Sequence, residues 1–360
     1  MLDRGGLLLA LEGDERAPLW ARLALAGLAP AGWLWGDVMR LRRSLYEAGF
    51  GGSEQPACPV VSVGNLTLGG TGKTPAVAWL VSRLIEAGER PAMVSRGYGG
   101  KGREVRIVSE GRGNVLSSPP ASDEAVLMAR MFSSVPVVTG KDRPAAARRA
   151  EALGAGVIVV DDGFQHLALK RSFDLVVLRG DLPFGNGRMF PAGLLREPLR
   201  ALQRAGAILI TGEAVPGIRE KASSLAPEAE IFEGRLAPSA LVNLEGLAIG
   251  SLDDLRGTGI VAVSGIGNPD GFLRTLEGLG AKILKNLAFS DHAVYGEVEV
   301  ARIAAALKET GAELVVATEK DAVKLTDLPG TKPFRDLRVE LEIEGGDELE
   351  RLILNSLERS

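Results

Sequence analysis

The chain has 360 residues, of which 46% are hydrophobic and 24% charged, with a net charge of −4 and one cysteine. This length suggests two domains, or one domain with a large appendage, in an ordinary globular protein. Without a basic excess nucleic acid is set aside as a partner, and the lone Cys58 excludes a disulfide framework or a cysteine-based zinc site and fits a reducing cytosol.

Residues 18–35 are apolar except for Arg22 and carry three of the four tryptophans, Trp20, Trp33 and Trp35; Arg40, Arg42 and Arg43 follow. A spanning helix needs about 20 apolar residues, and Pro30 and Gly32 interrupt this run. The segment also lacks the charged start and cleavage site of a signal peptide. Two roles fit it. One is a helix lying in a membrane interface, with rings at headgroup depth and arginines on anionic lipid. The other is a buried core helix that is rich in tryptophan.

Residues 58–63 read as a buried strand, and residues 75–88 as an amphipathic helix with Val77, Leu80, Val81, Leu84 and Ile85 on one side. Between them runs GNLTLGGTGKT. Gly69, Gly70 and Gly72 let the backbone around Thr71 curl so that its N–H groups face an anion. Lys73 then reaches the terminal phosphates, and the Thr74 hydroxyl is placed to ligate Mg²⁺. Pro75 costs nothing in the first helical turn. The strict phosphate-loop pattern has glycine where this chain has Thr67, but the GGTGKT core and its flanking strand and helix remain.

Further on, residues 92–95, 135–139, 157–160, 175–178 and 207–210 read as strands, with helices at 124–132 and 144–153. Apolar β-branched runs without alternation mean strands covered on both faces, a parallel α/β sheet. The strand at 157–160 ends in Asp161 and Asp162, and an apolar strand that delivers acids to the edge of a phosphate loop holds Mg²⁺ directly or through water. His166 follows in GFQH. Ser122-Asp123-Glu124 opens a helix; serine caps and first-turn acids suit a helix start, while transfer to a hydroxyl also needs a carboxylate near the acceptor oxygen. Arg96 and Arg143 each follow a strand, at the carboxyl-terminal edge where α/β proteins bind ligands, and suit a phosphorylated substrate.

Residues 180–200 break the rhythm with Gly, Pro and Arg, including Arg188 and Arg196; a long irregular stretch with fixed-shape and apolar residues points to a functional loop rather than disorder. Residues 227–250 read as a connector with one or two short strands, at 231–235 and 240–244. A second α/β unit follows, with strands at 259–264, 281–287 and 313–317 and helices at 271–279 and 298–310. SGIGNP, at 264–269, reads as a tight βα turn, because it lacks the third glycine of a dinucleotide fingerprint. His292, in FSDHAVY, lies in this unit. The expected division is 1–45 as a helical membrane-interface segment, 46–225 as a P-loop domain, 226–250 as the connector and 251–360 as a smaller α/β domain closing over the site. The tail after Leu325 carries no motif.

The ordered blocks GNLTLGGTGKTP, SRGYGG, SDE, GKDR, DDGFQH, FGNGRMFPAGLLREP, FSDHAVY and TEKDAVKL resemble the tetraacyldisaccharide 4'-kinase family of Gram-negative bacteria over about residues 15–325. The resemblance implies transfer of the ATP γ-phosphate to the 4'-hydroxyl of a tetraacyldisaccharide 1-phosphate, giving lipid IVA. It also implies Mg²⁺ and a peripheral place on the cytoplasmic face of the inner membrane, with no obligate protein partner evident. By resemblance Lys73 and Thr74 are the phosphate-loop pair, and Asp123 takes the acceptor proton with His292 as its partner. Glu124 and Asp162 lie near Mg²⁺ and Asp161 supports them. Arg96, Tyr98, Arg143, Gln165, Arg196 and Glu197 surround the sugar and its phosphate. From the residues alone two alternatives stand beside this one: a soluble small-molecule P-loop kinase, or a nucleotide-dependent ATPase or GTPase switch. Leu68 occupies the place of the signature lysine of partition-type ATPases, and Glu319 stands where a guanine-specific NKxD-type motif has lysine.

Overall fold

The computed structural model describes residues 4–97, 104–116, 121–243, 248–266, 269–290, 293–325 and 334–358. The chain opens with three helices, α1 (Arg4–Glu12), α2 (Leu19–Gly27) and α3 (Ala29–Glu47). Pro30 falls in the first turn of α3, where its missing N–H is tolerated; further inside a helix it would break the ladder, so the apolar run divides in two. Among the described residues no helix is long and apolar enough to cross a membrane.

The α/β part runs β1 (Val60–Gly64), α4 (Lys73–Glu86), β2 (Pro91–Ser95), β3 (Arg106–Glu110), α5 (Asp123–Met131) and β4 (Pro136–Thr139). It continues with α6 (Arg143–Ala152), β5 (Val157–Asp161), β6 (Phe173–Arg179), β7 (Ala207–Thr211), α7 (Ile218–Leu225) and β8 (Glu230–Val242). Then come β9 (Ala248–Gly250), β10 (Gly259–Ser264), α8 (Pro269–Gly278), β11 (Lys282–Ala288), α9 (Glu297–Thr310) and β12 (Leu314–Thr318). The last elements are α10 (Glu319–Leu325), β13 (Phe334–Glu344) and α11 (Gly346–Leu357).

Two compact units interleave along the sequence. Met1–Arg96, Gly140–Arg235 and Leu341–Ser360 form the first; Gly97–Thr139 and Leu236–Glu340 form the second. The units are therefore discontinuous, whereas the sequence suggests segments in succession, because β8 and β13 each run through a boundary between units.

In the first unit the parallel strands follow the order β8, β7, β6, β1, β5, β2, with pairs such as Val61↔Val159, Val61↔Phe173, Leu175↔Ala207 and Ala92↔Ile158. Every residue of β1, β2 and β7 is buried, as strands covered on both faces must be. β1 stands between β5 and β6, so its carboxyl end delivers the glycine loop beside the end of β5. Leu66, Phe164, Phe184 and Leu195 join Val176 and Ile208 in one core cluster, so residues 180–200 are packed against the sheet although they form no regular element before the short turn at Leu199–Arg204.

In the second unit β11, β10, β12 and β13 pair in parallel, with Ile303 and Val300 of α9 in one core cluster and Phe272 and Leu276 of α8 in another. β3 and β4 pair antiparallel, and α5 packs against both these strands and α10.

Two departures from sequence expectation have physical causes. Residues 227–250 hold a strand of 13 residues and then β9, where one or two short strands at 231–235 and 240–244 are expected. Gly234 and Pro238 weaken a strand signal, but Gly234 is still in register with β7, opposite Thr211, and Pro238 falls between that paired part and Leu241–Val242, which pair antiparallel with β9. The tail after Leu325, without a motif, returns to the first unit. There Leu349 and Ile353 of α11 are buried, and Arg83 of α4 meets Asp347 and Glu350 at 3.1 and 3.4 Å.

Candidate active site

The first unit assembles a phosphate loop and a charged cluster at the ends of β1 and β5. Gly69 and Gly72 have φ of +104° and +79°, the left-handed region where side chains are strained. Gly72 caps the start of α4, and a Cβ there would lie 3.3 Å from Thr211 Oγ1, which itself donates to the Thr71 carbonyl at 3.2 Å. The loop is thus fixed from β7, and its glycines are required by backbone shape. Thr67 replaces the usual glycine without strain, because it lies in an extended leg bridged to Leu195, and Leu68 N–H donates to the Leu194 carbonyl at 2.8 Å.

Lys73 opens α4 and its Nζ lies 3.6 Å from Asp162 Oδ1. Asp162 follows β5 at a φ of +53°, the sole non-glycine residue with positive φ among the described residues, a conformation costing on the order of 1 kcal/mol or more. It is held there by Arg196, whose Nη1 donates to both carboxylate oxygens at 2.9 Å and to Gln165 Oε1 at 3.4 Å. Gln165 in turn donates to the Asn65 carbonyl at 2.8 Å. Burial pushes the Asp162 carboxyl up, but the charges of Lys73, Arg196 and Arg143 outweigh it and hold it below the ordinary carboxylate range.

Arg143 begins α6 and is buried; its Nη1 donates to the Gly140 carbonyl at 2.6 Å and its Nη2 to the Asp161 carbonyl at 3.5 Å. Burial lowers its guanidinium to about 10, against the opposing pull of Asp161 and Asp162 and with repulsion from Arg96. His166 is driven down to about 4 by burial and by Arg143, Arg42 and Arg171, so its imidazole is neutral at physiological pH. Glu197 does not join this cluster. It is buried, accepts from Arg204 Nη1 at 2.7 Å, and that guanidinium stacks 4.2 Å over the Phe164 ring.

The amino-terminal helices are tied to the same loop. A Cβ on Gly32 would come within 2.9 Å of the Met189 carbonyl, so only glycine allows α3 so close. Trp35 Nε1 donates to the Arg196 carbonyl at 3.2 Å, its ring meets Phe190 edge-on at 6.0 Å, and Arg42 donates to the Gln165 carbonyl at 3.1 Å. The other face of these helices stays in solvent: Leu19 and Trp33 are each 70% exposed, with Leu23, Leu34 and Leu41 also exposed. The tryptophan-rich segment is thus not a buried core helix. The links from α3 to residues 165–196 were not readable from sequence, since Gly32 and Gly36 give no signal until a partner is known.

The second unit carries Asp123 and Glu124 in the first turn of α5. Asp123 Oδ2 lies 3.2 Å from Lys324 Nζ and Glu124 Oε1 lies 3.4 Å from Lys320 Nζ. Ser122 makes no side-chain cap bond to the helix. Tyr98 and His292 lie outside the described residues.

A buried strand, a glycine loop and a helix led by lysine, beside acids at the neighbouring strand end, define a P-loop nucleotide-binding phosphotransferase. Residues 24–358 match the family model described as Tetraacyldisaccharide-1-P 4'-kinase. A tetraacyldisaccharide 4'-kinase of Syntrophus aciditrophicus is 42% identical over 332 residues, covering 88% of this chain and 89% of the relative. One of Syntrophotalea carbinolica is 41% identical over 341 residues, covering 93% and 92%. The crystal structure of LpxK from Aquifex aeolicus in complex with ATP superposes with a TM-score of 0.76 at 31% identity, covering 93% of this chain and 99% of that one. The chain belongs to the tetraacyldisaccharide 4'-kinase family.

Proposed function

We propose that this chain transfers the γ-phosphate of ATP to the 4'-hydroxyl of a tetraacyldisaccharide 1-phosphate, forming lipid IVA. The observation that carries this is the phosphate loop with Lys73 against Asp162, in a chain matched to the family over residues 24–358. Gly69, Gly70, Thr71, Gly72 and Lys73 bind the β- and γ-phosphates, Lys73 exchanging its contact with Asp162 for phosphate oxygen.

Magnesium prefers hard oxygen donors and needs only one or two carboxylates besides phosphate and water. The Thr74 hydroxyl and the ionised Asp162, with Asp161 beside it, are such donors, so the residues fit. Glu124 joins them once it exchanges its Lys320 partner. When bound, the metal supplies charge neutralisation on the transferring phosphate. Asp123, partnered by His292, accepts the proton of the 4'-hydroxyl as that oxygen bonds to the γ-phosphorus; the bond to the bridging oxygen breaks and its electron pair leaves on ADP. Arg96, Tyr98, Arg143, Gln165 and Arg196 orient the sugar and its 1-phosphate, while Glu197, already paired with Arg204, supports the loop that carries Arg196.

The acceptor's acyl chains remain in a bilayer, so the site works at a surface. What supports this is the exposed apolar row Leu19, Leu23, Trp33, Leu34 and Leu41 on helices tied by Trp35 and Arg42 to Arg196 and Gln165. The chain then acts peripherally on the cytoplasmic face of the inner membrane. Flotation with anionic vesicles tests the surface role: the wild type should float and a Trp33→Ser, Leu34→Ser variant should not. Equal flotation of both would refute it.

A further inference from the structure

The TEKDAVKL block has so far no role in the chemistry, yet its helix meets both acids in the first turn of α5 and the phenol of Tyr295. Lys320 and Lys324 are four residues apart in α10, hence on one face, and that face meets the first turn of α5. The Lys324 side chain is 8% exposed and that of Asp123 18%, so this pair is largely withdrawn from water, where charge attraction is stronger than at a surface. Lys324 Nζ lies 3.2 Å from Asp123 Oδ2 without a well-aligned hydrogen bond, and also 5.9 Å from the centre of the Tyr295 ring.

The same helix also carries Asp321, which is fully buried. Its Oδ1 accepts from Tyr295 Oη at 3.0 Å, and its Oδ2 accepts from Thr318 Oγ1 at 2.6 Å and Gly265 N–H at 2.8 Å. Three donors hold this buried carboxylate, so it fixes α10 to the end of β10 and to Tyr295. Burial and the Asp321 charge raise the Tyr295 phenol, which keeps it a donor. α10 is therefore a bracket. Asp321 anchors the bracket and the residue three positions after His292, and Lys324 grips the carboxylate opposite.

We propose that Lys324 is a positioning residue for phosphoryl transfer: its buried ammonium fixes the Asp123 carboxylate in the orientation from which it accepts the hydroxyl proton. This rests on Asp123 being the acceptor of that proton.

The test compares Lys324→Met and Lys324→Arg in the full-length protein, alone and in an Asp123→Asn background. Readouts are kcat, the KM for ATP and the melting temperature. Lys324→Met should lower kcat by about 10- to 100-fold with the KM for ATP within about twofold, and Lys324→Arg should recover most of the loss. In the Asp123→Asn background Lys324→Met should cost less than about twofold, since nothing remains to be oriented. The proposal is overturned if Lys324→Met lowers only the melting temperature, or if its effect on kcat is the same with and without Asp123. Should Lys324→Met fold poorly, a Lys324→Arg enzyme with the kinetics of Asp123→Asn would equally overturn it. The base assignment fails separately: Asp123→Asn alone would then keep wild-type kcat.

Discussion

Asp336 and Glu319 make an acidic pair whose cost to the fold depends on pH. Asp336 is buried in β13, and its Oδ1 has no hydrogen-bond partner among the described residues. Burial first, and then the neighbouring Glu319 charge, push its carboxyl up to about 8, with Arg338 and Arg130 opposing. Burial likewise raises Glu319 to about 6. A carboxyl whose folded pKa is raised gives its full stability below the unfolded pKa and loses it as pH climbs toward the folded one. Between about pH 4 and pH 8 the folded protein keeps a proton on Asp336 that the unfolded chain has released. Stability therefore falls by about 1.4 kcal/mol per pH unit on account of this group. Asp336→Asn keeps the size and removes the ionisation. Between pH 5 and pH 7 the variant should gain about 3 kcal/mol relative to the wild type. Urea unfolding followed by circular dichroism at several pH values measures this directly. Parallel stability profiles for the two proteins would refute the reasoning, because the buried carboxyl would then be ionised at no cost.

Four other outcomes are expected. Lys73→Ala should lose phosphoryl transfer by orders of magnitude, since γ-phosphate charge goes uncompensated; steady-state kinetics check it. Asp123→Ala should lower kcat more than it weakens ATP binding measured by calorimetry, and an unchanged kcat would leave Asp123 as a helix-start residue. Gly72→Ala should destabilise by about 1–2 kcal/mol, from left-handed strain and pressure on Thr211, and weaken nucleotide binding; a variant with wild-type ATP affinity would contradict the loop geometry. Arg196→Met should free Asp162 from its two hydrogen bonds and raise the KM for ATP–Mg²⁺ about tenfold, with an unchanged KM refuting the role of Arg196 in holding that carboxylate.

Much of the fold was legible because its signals are local. Continuous apolar runs gave β1, β5 and β10 to within two residues at each end, and glycine spacing gave the phosphate loop, because strand burial and left-handed backbone both act through residue type at single positions. The place of Asp161 and Asp162 at the end of β5 was equally readable, because the apolar run stops there. What remained hidden was pairwise. Nothing in the sequence says that Glu197 turns to Arg204, that Arg196 grips Asp162, or that Lys324 reaches Asp123 from 201 positions along the chain (324 − 123). The interleaving of the two units escaped for the same reason. β8 looks broken at Gly234 and Pro238 until its partners are known, and α11 is an amphipathic helix whose destination its own residues do not name.

The central claim is phosphoryl transfer to a membrane lipid. Its most direct test is transfer of labelled γ-phosphate from ATP to tetraacyldisaccharide 1-phosphate in mixed micelles, with Lys73→Ala as the control. The account predicts label at the 4'-position of the lipid product with the wild type and none with the variant. Wild-type protein that binds ATP and Mg²⁺ yet leaves the lipid unlabelled would contradict it.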